Sequence, residues 1–217
     1  MTPEYKFHAY ITGFTVLLMY LVITEIIPIF EGLHFGSISA QPIIAALSTA
    51  GIYMSLSSIL LQVSRNVNWF KKHLLGARYL NGTWIGKFTI ENDEPILVVE
   101  TFEQTIPSLK IRGIAFHENG KIFAQWDSVA ESIKEGVLTY TYSCTRNRDV
   151  HSIQGIAIFR LQRPEIHLPA THLFGFSADL TDGIRNENSE KKISDKLLPI
   201  DEAFKLAKKE CLEDIQL

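Results

Sequence analysis

Two long stretches almost free of charge constrain this chain more than any other feature. Residues 9–30 (AYITGFTVLLMYLVITEIIPIF) hold one charge, Glu25, and one proline, Pro28. Residues 35–64 hold none. A helix crosses a bilayer core with about 20 apolar residues, so both stretches are long enough. Between them lies a short polar turn, residues 31–34 (EGLH). The expectation is a helical hairpin that crosses a membrane twice. A signal peptide at the first stretch is the alternative, but it leaves the second unexplained.

Charge flanking the stretches sets an expected orientation. Arg65, Lys71, Lys72 and Arg78 follow the second and Lys6 precedes the first, while the connecting turn carries only Glu31. By the positive-inside rule both termini are cytoplasmic. The second stretch carries small residues four apart, Ala46 with Ala50 and Gly51 with Ser55. Such faces let helices approach closely in lipid. Ala46, Ala50 and Gly51 are therefore candidates for self-association, and packing between the two spans of one chain is the plainer use. Glu25 is costly in hydrocarbon, so it should meet protein, water or the headgroup layer.

Beyond residue 79 the pattern changes to period two. In residues 137–144 (VLTYTYSC), Leu138, Tyr140, Tyr142 and Cys144 share one face. In residues 153–161, Ile153, Gly155, Ala157, Phe159 and Leu161 do the same. Similar runs cover 82–90, 95–104, 108–117, 121–132 and 172–180, with an eighth near 185–193. Turn signals separate them, among them Asn119 with Gly120 and Glu135 with Gly136. Regular strands without intervening helices suggest a meander barrel or a sandwich. Residues 201–212 read as a closing helix. The expected architecture is a two-span hairpin (1–66), a juxtamembrane linker (67–78), and an antiparallel barrel of about eight strands with a C-terminal helix (79–217). A small barrel of this kind can hold one small ligand.

Chemistry-bearing motifs are sparse. The seven histidines form no HExxH, and the two cysteines form no CxxC pair, so no metal or cofactor is expected. No nucleophile elbow or phosphate loop stands in a suitable context, and an enzyme is not expected. Asp127 with Glu131, and Asp179 with Asp182, read as solvated carboxylates. A net charge of −3 gives no reason to expect duplex nucleic acid. The better constellation is aromatic and basic: Trp84, Trp126, Tyr140 and Tyr142, with Arg112, Arg146, Arg148 and Arg160. A nucleotide needs flat surfaces for its base and forked donors for its phosphates, and these residue types supply both.

The run YLNGTWIGKF (79–88), the strand LTYTYSCTRN (138–147), HSIQGIAIFRL (151–161) and LFGFSADLTDG (173–183) follow the two apolar stretches. Together they resemble the two-transmembrane β-barrel effectors of bacterial CBASS anti-phage systems, which are associated with CD-NTases. The resemblance implies a receptor in the inner membrane. A partner CD-NTase would make a cyclic di- or trinucleotide; the cytoplasmic barrel would bind it, and the chains would self-associate and disrupt the bilayer. Three other readings compete: a membrane-tethered lipocalin-like binder of an apolar or lipid ligand, a membrane-anchored hydrolase, and an anchor whose barrel only docks a partner.

Overall fold

Apolar residues that recur along a helix need a partner face or lipid, and the N-terminal unit buries some of its own and leaves others exposed. The computed structural model describes residues 3–30, 34–35, 38–89, 95–146, 152–181, 183 and 185–213. Two compact units divide the chain, residues 1–75 and 76–217. In the first, α1 (Pro3–Leu21) buries Pro3, Phe7, Ile11 and Thr15, one residue in four, along a single ridge. Its continuation is a wide π-helical turn (Val22–Ile26) followed by a 3-10 turn (Ile27–Phe30). The distortion falls beside Pro28, which has no N–H to donate and whose ring crowds the carbonyl four residues back. Two two-residue strands, β1 (His34–Phe35) and β2 (Ile38–Ser39), pair antiparallel before α2 (Ala40–Asn66).

Residues Pro3–Ile29 and Gln41–Asn66 are long and apolar enough to cross a membrane. Large apolar side chains such as Phe14, Leu17, Leu47, Met54 and Ile59 stand exposed on these helices. Exposure on this scale suits lipid better than water. Hydroxyls within α2 are satisfied by their own helix: Thr49 donates to the Ala45 carbonyl at 2.8 Å, and Ser57 to that of Tyr53 at 2.7 Å. His8 Nδ1 meets the Tyr53 hydroxyl at 2.9 Å and ties α1 to α2. A short amphipathic helix, α3 (Asn68–Leu75), ends the unit. Trp69 is exposed on it and stacks on His73.

In the second unit the alternation of the sequence becomes the inside and outside of a closed sheet. Its strands are β3 (Gly82–Thr89), β4 (Pro95–Gln104), β5 (Leu109–Phe116), β6 (Ile122–Lys134), β7 (Val137–Arg146), β8 (Ile153–Gln162), β9 (His172–Asp179) and β10 (Arg185–Ser194). Each pairs antiparallel with its neighbour in sequence, and β10 pairs with β3 to close an eight-stranded meander barrel. The β6–β7 hairpin turns on Glu135 and Gly136, both at positive φ, as a tight two-residue hairpin requires. Register shifts in β5, β6 and β10 supply the bends that closure needs.

One end of the barrel is filled. Leu80, Trp84, Phe102, Leu138, Phe159 and Leu173 are buried there. Outside the barrel, α4 (Ile200–Glu213) lays Ala203 and Ala207 against Ile85 and Val99. Small residues on the helix allow close approach, and Phe204 packs on Phe116 with ring centroids 4.8 Å apart.

Candidate functional site

The other end of the barrel is hollow. A cavity of about 440 Å³ lies where β3, β5, β7 and β9 end and where β4, β6 and β10 begin. That size falls within the range of small-molecule sites. Its wall includes Phe88 from β3, Glu100 from β4, Phe123 and Trp126 from β6, and Tyr140, Tyr142, Cys144 and Arg146 from β7. Ser177 and Asp179 from β9, with Asn186 and Asn188 from β10, complete it. In a closed ring of eight strands, the strand four places round is the opposite wall. The two asparagines of β10 therefore face Trp126 of β6, and Phe88 of β3 faces the tyrosines of β7.

Glycines give the rings their places. Gly113 is paired with Trp126 across β5 and β6, and a Cβ on it would lie 2.0 Å from the indole. Gly155 is paired with Tyr142 across β7 and β8, and a Cβ there would lie 2.2 Å from the phenol ring. Each ring thus lies flat over a bare backbone on the neighbouring strand. The Tyr140 ring stacks on Phe159, with centroids 6.2 Å apart.

Charge in the cavity is arranged in two groups. Near the mouth, the Arg146 guanidinium is ion-paired with Asp179, whose other oxygen accepts from the Tyr142 hydroxyl at 3.0 Å. Burial, and then the charge of Asp179, raise the Tyr142 phenol above its ordinary range. Deeper in, Glu100 and Glu190 meet inside the lumen and both are fully buried. Glu100 Oε1 accepts from the Tyr140 hydroxyl at 2.7 Å and from Trp126 Nε1 at 2.8 Å. Among the described residues, its second oxygen and one of Glu190 have no donor. Burial raises the Glu100 carboxyl to about 7, against the downward pull of its hydrogen bonds. Glu190 is raised as well, by burial first and then by the nearness of Glu100.

Of the residues the sequence proposes for a ligand, the structure brings four together at the cavity: Trp126, Tyr140, Tyr142 and Arg146. Trp84 lies in the filled end, where its Nε1 donates to the Leu80 carbonyl at 2.8 Å and its ring packs on Phe102. Arg112 points to the outer surface beside Glu103 and Asp127. Arg160 is exposed on the outer face of β8, between the inward residues Phe159 and Leu161. Arg148 lies outside the described residues. Asp179, read from the sequence as solvated, is instead buried and paired with Arg146. Asp182 lies outside the described residues.

Sequence reasoning missed Glu100, Glu190 and the two asparagines. Glu100 leaves a trace, since it shares a face with Val98 and Phe102 in an otherwise apolar run. The polar strand β10 (RNENSEKKIS) has no alternation to read. Among the described residues no group of three or more His, Cys, Asp or Glu could hold a metal ion.

On the helices, Ala46, Ala50 and Gly51 are exposed. A Cβ on Gly51 meets nothing within 4 Å. Glu25 is also exposed, in the π-helical turn. No protein-family model matches this chain, and no curated protein matches it in sequence.

Proposed function

We propose that this protein is a membrane-tethered receptor, a CBASS-type effector whose cytoplasmic barrel takes up a cyclic di- or trinucleotide made by a partner CD-NTase. The observation that carries the reading is the cavity: flat rings of Trp126, Tyr140 and Tyr142 on one side, amides of Asn186 and Asn188 on another, and Arg146 at the mouth. A base stacks on such rings regardless of sequence, amides read its polar edge, and a guanidinium holds phosphate through paired donors. Two apolar helices on the same chain give the bound state a membrane to act on. Ligand binding shifts the chains toward an associated state only if it favours that state, and a filled mouth differs from an empty one in its rim. Association would then use the exposed face of Ala46, Ala50 and Gly51, where weak contacts suffice once the spans are confined together. The bilayer in question is the bacterial inner membrane, with both termini cytoplasmic.

The wall mixes aromatic rings with Glu100, Asn186, Asn188 and the Arg146–Asp179 pair, polar groups that a purely apolar ligand would leave without partners. A membrane-anchored hydrolase draws support from one observation, the buried Glu100 carboxyl whose titration near neutrality suits general acid or base work. One experiment separates these readings. The full chain in detergent is titrated with a panel of cyclic di- and trinucleotides while Trp126 fluorescence is followed, with Trp126→Phe as control, and the nucleotide is recovered afterwards. Selective saturable quenching with intact nucleotide supports the receptor. Turnover supports the hydrolase. No response across the panel overturns the reading.

A further inference from the structure

Two carboxyls inside a barrel destabilise it, because apolar residues of the same volume would not carry their desolvation cost. Neither is needed to fill space at the closed end, which apolar side chains fill already. Glu100 does something an apolar residue could not. A single oxygen, Oε1, accepts from Trp126 Nε1 and from the Tyr140 hydroxyl, two residues on different strands. Each bond removes a rotation: the indole cannot flip about its outer bond, and the phenol cannot swing from the cavity wall. Glu190 lies beside Glu100 in the lumen and is buried with it. Gly113 fixes the third side by leaving room for the indole only against the strand.

We propose that Glu100, beside Glu190, is the positioning residue of the cavity, and that its one oxygen sets the ring surface on which the ligand lies. The ligand half rests on the receptor reading; the ring-setting half does not.

The test uses the full chain in detergent micelles, labelled with ¹⁵N-tryptophan. Trp69, Trp84 and Trp126 give three indole N–H signals. Trp126→Phe assigns the relevant one. Glu100→Gln keeps one carbonyl oxygen for the two donors and offers its amide to Glu190, so the Trp126 signal stays sharp and close to its wild-type position. Glu100→Met keeps the volume but removes the acceptor, so the signal moves upfield and broadens. An unchanged Trp126 signal in Glu100→Met overturns the proposal without any ligand. Should Glu100→Met fail to fold, Tyr140→Phe replaces it. The account then predicts that Oε1, freed of one donor, binds the indole more strongly and moves its signal downfield; no movement overturns the proposal.

Affinity is the second arm, with whichever cyclic dinucleotide binds the wild type. Glu100→Gln stays within about threefold, and Glu100→Met binds at least tenfold more weakly. A merely structural role lowers the melting temperature of Glu100→Met and leaves the affinity of its folded fraction unchanged, which contradicts the ligand half. If no cyclic nucleotide binds the wild type, the receptor reading fails, and the indole signal alone still decides the ring-setting half.

Discussion

Glu100 is fully buried, and one of its oxygens accepts from two rings of the cavity wall. Its carboxyl titrates at about 7 in the fold against an ordinary 4.5, mainly through burial. Between those values the folded chain holds more protons than the unfolded one, so stability falls as pH rises. The penalty is absent below about 4.5, grows through the window and is complete above about 7. Glu190, raised in the same direction, extends the loss upward. Urea unfolding at pH 5 and at pH 8 should therefore show a less stable barrel at pH 8, by on the order of 2–3 kcal/mol. Glu100→Gln should flatten that dependence; an equal slope in wild type and variant contradicts the assignment. Gly113 carries a second residue-scale prediction. Gly113→Ala forces a methyl group into the indole of Trp126, and overpacking of this kind costs about 1–3 kcal/mol. Urea unfolding reads the cost, and a shift of Trp126 emission marks the displaced ring. Arg146→Ala should weaken nucleotide binding about tenfold, through loss of a charge-assisted contact at the mouth, and should also lower stability, because Asp179 is left buried without its partner. Calorimetry that finds equal affinity removes Arg146 from the site.

Among the elements, those with a local periodicity were legible in the sequence and those without one were not. The strands β7 and β8 alternate, and the structure turns Leu138, Tyr140, Tyr142, Ala157, Phe159 and Leu161 inward, whereas β9 turns Ser177 and Asp179 to the lumen and leaves Phe174 exposed. Glu135 and Gly136 mark the β6–β7 turn in the sequence as they do in the fold. The first apolar stretch begins its helix earlier than residue 9, at Pro3, because its N-terminal turn packs Phe7 under the helices. The cavity floor was illegible for a different reason. Glu100 and Glu190 are 90 positions apart and meet only because β10 closes on β3, and no local pattern states that closure. The same limit explains the arginines: Arg112 and Arg146 look alike in sequence, but strand parity turns one outward and the other to the mouth. On α2 the exposed face of Ala46 and Gly51 leads to a prediction at this scale. Ala46→Leu with Gly51→Leu should leave ligand binding unchanged, because an added side chain at Gly51 meets nothing in the chain. It should abolish ligand-induced cross-linking between chains in membranes. Cross-linking that persists removes this face from the association surface.

The chain divides into two compact units of different character. One offers two helices long and apolar enough to cross a membrane, and the other a closed barrel with a hollow end. A receptor needs both, since a barrel alone has no effect on a membrane and a hairpin alone has no trigger. The central claim is that the cavity takes a cyclic oligonucleotide. A thermal-shift titration of the full chain against cyclic di- and trinucleotides tests it most directly. A ligand that binds only the native state, at 100 times its Kd, stabilises by about 2.7 kcal/mol. That is roughly a 5–11 °C shift for a chain of this size. Such a shift is expected for one cyclic nucleotide or a few close analogues, and is lost in Trp126→Ala. A folded protein that melts at the same temperature with every member of the panel contradicts it.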